Sequence, residues 1–294
     1  ECEKIKNMIA NHVDTAVIVN TCAVTAEAER QSAQSVRRIA RENPNVPIFV
    51  TGCGATRNPS LFQKIPNTVV VSNADKMKST PYIDGLAKIN QDGKIIKFVH
   101  EAPELSKQFI QIQNGCNHKC AYCVTRLLRG PNFAFPYEEI LQYAKDAIKQ
   151  GYYEIVLTGV DTASYVKVID NKPFLLADVC RNLLQDVPEI KHLRLSSIDP
   201  ASPEVPKIID LMKSDNRFMP HLHLSMQSGS DEILKSMRRR HNADMLRQII
   251  KYANTDFQTT FSADIICGFP GETEELFNET TDAPYNYILL ALYA

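Results

Sequence analysis

The sequence predicts an α/β protein in two parts: a βαβ unit with a parallel sheet, then a longer run of βα repeats that forms a full or partial barrel. Short apolar runs alternate with stretches whose apolar residues recur at helical spacing. The βα pairs repeat at the spacing of a barrel. The length of 294 residues, with 44% hydrophobic and 23% charged, is ordinary globular usage for about two domains. That composition excludes disorder, collagen and coiled coil. The longest apolar runs, such as Thr15–Val19 and Ile288–Ala294, are too short to span a bilayer. No basic, apolar, small-residue segment opens the chain, so a cytoplasmic location with no membrane partner is expected. A net charge of −1 neither advertises a nucleic-acid partner nor excludes one.

The elements follow in order. Ala16–Val19 is a buried strand that ends at Asn20, Thr21 and Cys22. Thr25 is placed to cap the next helix, with Glu27 and Glu29 in its first turn. Ala26, Ala33, Val36, Ile39 and Ala40 make its apolar stripe, and Asn43-Pro44 stops it. Pro47–Val50 is the second strand, ending at Thr51, Gly52 and Cys53, and Val69–Val71 is the third. In a right-handed βαβ unit the carboxyl ends of such strands share one edge of the sheet, where open α/β sheets bind ligands. Cys22 and Cys53 are therefore expected to face one site. Residues 1–95 form this first domain, and 96–108 read as a linker after the Asp92-Gly93 turn. The barrel occupies 109–294, with strands at Phe109–Gln113, Glu154–Thr158, His192–Leu195, His221–Leu224 and Phe261–Ile266. Helices are expected from Pro136 to Gly151 and over Leu175–Leu184, Pro203–Met212 and Met245–Ala253.

Eight cysteines without an export signal point to metal or redox chemistry rather than a disulfide scaffold. Three of them, Cys116, Cys120 and Cys123, make one CxxxCxxC run directly after the first barrel strand. Random placement would produce that spacing about 0.006 times in such a chain. Three thiolates hold either an iron–sulfur cluster or zinc. Zinc usually takes four closed ligands, and His118 is a candidate fourth whose ring has to fold back over a very short span. In a four-iron cluster, three cysteines leave one iron free of protein ligands, open to substrate or cofactor.

Cys116-Asn-His-Lys-Cys120-Ala-Tyr-Cys123 resembles the cluster loop of radical S-adenosylmethionine enzymes, including the aromatic Tyr122. Asn20–Thr25, Thr51–Cys53, Arg129-Gly130, Leu157–Val160, Arg194–Pro200, His221–Leu224, Gln227–Ser230 and Gly268–Thr273 extend the resemblance, in order, to the methylthiotransferases. The wording of Asn20–Thr25, Leu157–Val160 and Leu195–Pro200 is most similar to the type acting on N6-threonylcarbamoyladenosine in tRNA.

This resemblance implies a partial (β/α)6 radical-SAM barrel. It also implies that a methylthio group replaces the C2 hydrogen of the modified adenosine 3′ of the anticodon. S-adenosylmethionine serves both as methyl donor and as radical source. Cys116, Cys120 and Cys123 hold the cofactor-binding 4Fe-4S cluster, and Cys22 and Cys53 match two of three ligands of an auxiliary one. Tyr122, Thr158, Gly159, Ser197, Asp199, Gln227, Ser228 and Arg240 are the expected cofactor contacts. The implied partners are tRNA and an electron donor such as flavodoxin or ferredoxin. Two other readings stand beside this one: methylthiolation of a ribosomal-protein aspartate, and an inactive fragment that only binds a cluster.

The chain also departs from the family pattern. The third auxiliary ligand would precede residue 1, so that site is expected to be incomplete, and Cys2 reads as a helix-face packing residue. Pro284 is expected to interrupt the helix after Thr273, leaving the last barrel helix and strand altered or missing and the RNA-binding TRAM domain absent. The chain thus reads as truncated at both ends. Val124–Gly130 lacks the family's usual proline, and Asp161 stands where a different polar residue is common. Arg238–His241 reads either as a solvated helix face or as a contact for phosphate or the cofactor carboxylate. Arg37, Arg38 and Arg41 read as solvated, Cys180 and Cys267 as core, and His221 and His223 as sharing one strand face.

Overall fold

The computed structural model describes residues 16–89, 106–255, 257–281 and 287–292, together with Ile5, Met8 and Ile9. The chain divides into two compact units, one of residues 1–103 and 123–130, the other of 104–122 and 131–294. Cys2 and Pro284 lie outside the described residues.

In the first unit, β1 (Val17–Thr21), β2 (Ile48–Gly52) and β3 (Thr68–Val70) pair in parallel in that order. The strand alternation of β2 divides its side chains between two small cores. Ile48 and Val50 pack with Ala33, Val36 and Ala40 of α1 (Ala26–Glu42), while Phe49 packs with Tyr82, Leu86 and Ile5 on the other face. Thr25 caps α1 as expected, its hydroxyl accepting Ala28 N–H at 3.0 Å. Arg37, Arg38 and Arg41 are exposed on this helix. The unit is completed by α2 (Cys53–Arg57), α3 (Thr80–Ile89) and α4 (Thr125–Arg129), the last packed on α2.

The second unit alternates strands with helices: β4 (Lys107–Gln111), α5 (Tyr137–Lys149), β5 (Glu154–Thr158), α6 (Leu176–Asp186), β6 (His192–Leu195), α7 (Glu204–Ser214), β7 (His221–Gln227), α8 (Asp231–Ser236), α9 (Ala243–Ala253), β8 (Thr260–Cys267), α10 (Glu274–Thr281) and β9 (Tyr287–Leu292). The six strands form two parallel sheets, β4-β5-β6 and β7-β8-β9, joined by the bridges Leu193–Phe218 and Ile198–Leu224. Leu193, Leu222, Leu224, Phe261 and Ala263 pack against Val179, Cys180 and Leu183 of α6, Ile208 of α7 and Leu246 of α9. Alternation leaves Arg194, His221, His223, Ser262 and Asp264 on the opposite face, which is polar.

Two expectations are corrected here, and one unexpected element is added. The apolar tail does supply a last barrel strand: β9 pairs in parallel with β8 over Ser262–Cys267. Arg238–His241 is not a helix face but the link between α8 and α9. An antiparallel hairpin, Val166–Ile169 with Lys172–Leu175, interrupts the βα alternation. Cys180 is fully buried in the core and its thiol pKa is pushed up by burial; Cys267 is partly buried against the same core.

Candidate cluster and cofactor site

The three-cysteine loop leaves the carboxyl end of β4 through Gln113, a fully buried amide that sequence reasoning passed over. Gln113 Nε2 donates to Gly115 O at 2.7 Å and to Asn132 Oδ1 at 2.7 Å, and its Oε1 accepts Asp161 N–H at 2.8 Å. One side chain thereby ties the start of the cysteine loop to the loop after β5. Gly159 makes room for it: a Cβ there would lie 2.8 Å from Gln113 Oε1. On the side where a Cβ would stand, Gly159 therefore meets Gln113. Thr158, just before it, ends β5 half-buried, and its carbonyl accepts Ile112 N–H.

Farther along, Ala121 N–H donates to Met237 O at 3.0 Å, and Tyr122 packs on Ile233, Met237, Ile266 and Phe269. Cys116 and Cys120 are half-buried in the barrel unit and Cys123 is exposed at the start of segment 123–130; none is in a disulfide. Arg239, with 8% of its side chain exposed, donates from Nη1 to Cys120 Sγ at 3.4 Å and from Nη2 to Ser225 O at 2.7 Å. Its Nε is buried with no partner, so the guanidinium keeps an unused donor at this site.

Asp199 gathers the surrounding charge. Its carboxylate accepts Ala201 N–H at 2.9 Å and Arg240 Nη2 at 2.9 Å, with Arg239 Nη2 at 3.7 Å and His118 Nε2 at 3.9 Å. Burial works to raise the Asp199 pKa, but the two arginines and the Ala201 N–H outweigh it and hold the carboxyl below its ordinary value. Asp199, Arg238, Arg239, Arg240, Asn117, His118, Lys119 and Cys120 line a cavity of about 190 Å³. Its mixed charge, an anion between cations, suits a zwitterion such as an amino-acid headgroup.

His118 folds back, as a ligand role would require. Its Nε2 lies 2.7 Å from Asp161 Oδ2, within ion-pair range but not aligned as a hydrogen bond. Asp161 is 7% exposed and also accepts the Ser164 hydroxyl.

The remaining expected contacts divide. The Ser197 carbonyl accepts the Thr162 hydroxyl, leaving its own half-buried side chain beside Asp199 in sequence. Gln227 ends β7 half-buried at φ +73°, a left-handed conformation that costs a non-glycine residue about 1 kcal/mol or more. Ser228 is buried, its hydroxyl lies 3.2 Å from Thr280 Oγ1 and accepts Ser230 N–H, and it thereby docks α10.

In the first unit, Cys22 and Cys53 follow Thr21 and Gly52, which face each other in the β1–β2 register. Gly52 has φ +97°, and a Cβ there would strike Asn20 Oδ1 and the Thr21 backbone, so the turn carrying Cys53 requires glycine. Asn73 Nδ2 donates to Leu128 O at 2.9 Å and to Cys53 Sγ at 3.6 Å, an arrangement no local pattern announced. Neither thiol is in a disulfide.

The radical SAM superfamily matches residues 110–283, and a family described as "Uncharacterized protein family UPF0004" matches residues 4–97. The threonylcarbamoyladenosine tRNA methylthiotransferase MtaB of Rickettsia prowazekii is 37% identical over 94% of this chain and 67% of that protein. The protein of the same name from Bacillus subtilis is 36% identical over 92% and 61%. A tRNA-2-methylthio-N(6)-dimethylallyladenosine synthase of Finegoldia magna is 29% identical over 96% and 66%. The chain thus spans about two thirds or less of these relatives. In fold it is similar to the radical S-adenosylmethionine methyltransferase TsrM of Kitasatospora setae, with TM-score 0.69, 13% identity, and coverage of 98% of this chain and 64% of that one.

Proposed function

The chain belongs to the radical SAM superfamily and, within it, to the methylthiotransferases, and from that premise we propose that it replaces the C2 hydrogen of N6-threonylcarbamoyladenosine in tRNA with a methylthio group. The observation that carries this reading is the CxxxCxxC loop leaving the carboxyl end of β4 beside the Asp199–Arg239–Arg240 cavity. Identity supports this substrate: two relatives named for threonylcarbamoyladenosine reach 37 and 36%, against 29 and 31% for two named as dimethylallyladenosine synthases.

The donor set fits the implied group. Cys116, Cys120 and Cys123 are in no disulfide, and three thiols are the number that leaves one iron of a four-iron cluster open. Held by these thiols, the cluster would supply one-electron reduction of S-adenosylmethionine, splitting it into methionine and a 5′-deoxyadenosyl radical. The protein's own work is to bind and orient. Arg239 adds positive charge at Cys120 Sγ. Arg240, half exposed, offers a guanidinium to the cofactor carboxylate, and Asp199 an anion to its ammonium group. Tyr122, Thr158, the Gly159 backbone, Ser197 and Gln227 are the further cofactor contacts of this reading. Cys22 and Cys53 supply two ligands of an auxiliary cluster. tRNA is the macromolecular partner, and a flavodoxin or ferredoxin the electron donor.

The test compares tRNA from cells with and without the full gene by mass spectrometry. Loss of the methylthio form of threonylcarbamoyladenosine is expected on deletion, and an unchanged signal sinks the proposal. Anaerobic reconstitution is expected to load about four irons on Cys116, Cys120 and Cys123 and to yield 5′-deoxyadenosine.

A further inference from the structure

We propose that the iron-free chain holds one zinc ion on Cys116 Sγ, His118 Nε2 and Asp161 Oδ2, a site that shares one thiol with the cluster and so excludes it. The three ligand atoms lie within 4.8 Å of one another, and all three residues belong to the barrel unit. Tetrahedral zinc with bonds of about 2.0–2.3 Å needs ligand atoms about 3.3–3.5 Å apart. The observed separations bracket that: 2.7 Å from His118 Nε2 to Asp161 Oδ2 and 4.0 Å from Cys116 Sγ to the same oxygen. The third separation, Cys116 Sγ to His118 Nε2, is at most 4.8 Å, so shifts of about 1.3 Å or less close the site.

An independent observation points to a ligand. His118 Nε2 is buried without a hydrogen-bond partner, although a carboxylate lies beside it. A cation between the two would use the imidazole lone pair and the carboxylate together. The surroundings hold the set in place: Ser164 donates to Asp161 Oδ2, Gln113 accepts the Asp161 N–H, and His118 N–H donates to Cys116 Sγ at 3.4 Å. One thiolate, one imidazole and one carboxylate suit zinc, whereas calcium and magnesium take oxygen donors. Three protein ligands leave the fourth tetrahedral position to water.

The zinc site stands on this geometry alone, while its exclusion of the cluster rests on the proposed role of Cys116. The full chain, freed of iron under anaerobic conditions, is titrated with zinc and its zinc shell read by X-ray absorption. One zinc per chain is expected, with a single sulfur at about 2.3 Å and the other ligands at about 2.0–2.1 Å. His118→Ala and Asp161→Asn are each expected to weaken zinc at least about tenfold. A shell of three sulfurs, unchanged affinity in both variants, or no zinc uptake overturns the inference. Iron reconstitution after loading one equivalent of zinc separates the two readings. Iron uptake without zinc, but no zinc uptake, defeats the zinc site and leaves the cluster standing. Zinc bound with one sulfur in a chain that takes no cluster under any condition defeats the cluster reading and leaves the zinc site. Zinc bound with one sulfur and iron uptake undiminished by it defeats the exclusion.

Discussion

Gln113 illustrates how much of this site depends on groups that touch no reacting atom. Its single amide serves Gly115 O and Asn132 Oδ1 as donor and the Asp161 N–H as acceptor, all in a fully buried position. A leucine would fill similar space but strand those three groups without water. Each orphaned buried polar group costs about 1–3 kcal/mol, so Gln113→Leu is expected to destabilise the barrel unit by at least about 2 kcal/mol in urea unfolding. A loss below about 1 kcal/mol would show that the loop finds other partners. Asp199 is a different case, because besides accepting the Ala201 N–H it neutralises cations. Removing its charge would leave Arg239 buried and unpaired, which makes the cavity's balance of charge a property of one carboxylate.

At the scale of elements, α10 is held by a contact between the strand-end turn of β7 and a residue 52 positions later. Thr280 Oγ1 accepts the Gly229 N–H at 2.9 Å and meets the Ser228 hydroxyl, both buried. Thr280→Val keeps the shape and removes the oxygen, with an expected loss of about 1–3 kcal/mol in thermal unfolding. Thr280→Ser should restore most of it, and a valine variant as stable as the parent would refute the docking role. Ser228 sits in a motif that looks ligand-facing, and only its distant partner reveals that the hydroxyl is already used. Local signals were reliable where the physics is local. The Thr25 cap, the α1 stripe, and the strands Glu154–Thr158 and His192–Leu195 follow from spacing within a few residues. The common edge of Cys22 and Cys53 was legible because βαβ handedness fixes it. The hairpin at Val166–Leu175 was not, since Val168 is 73% exposed and no burial backs its alternation. Its turn did carry a signal, Asp170 and Asn171 at φ +50° and +60°, residues that tolerate the left-handed region. The last strand was obscured by Pro284, whose break in the pattern precedes Tyr287–Leu292 rather than abolishing it.

For the whole molecule, the buried polar groups of the barrel predict how stability responds to acid. His241 is buried, and burial first, then Arg239, push its imidazole down to about 4 from an ordinary 6.5. Burial, Arg194 and His223 push His221 in the same direction. Well above pH 6.5 both histidines are neutral in folded and unfolded chains and add no slope. Between 6.5 and about 4 the unfolded chain takes up protons that the folded chain refuses, so stability falls as pH falls. Asp199 acts at lower pH with the same sign: its depressed carboxyl adds stability above the ordinary value of 3.8 that is lost as pH drops through the folded value. The chain is therefore expected to hold its stability from about pH 8 to 7 and to lose it progressively below 6.5. A depression of the size at His241 is worth up to about 3 kcal/mol by pH 4. His241→Gln, which keeps a donor for Met226 O and cannot titrate, should flatten the decline between pH 6.5 and 4 while leaving the Asp199 part below it. Denaturant midpoints measured across that range check this, and identical slopes for parent and variant would exclude His241 as the source.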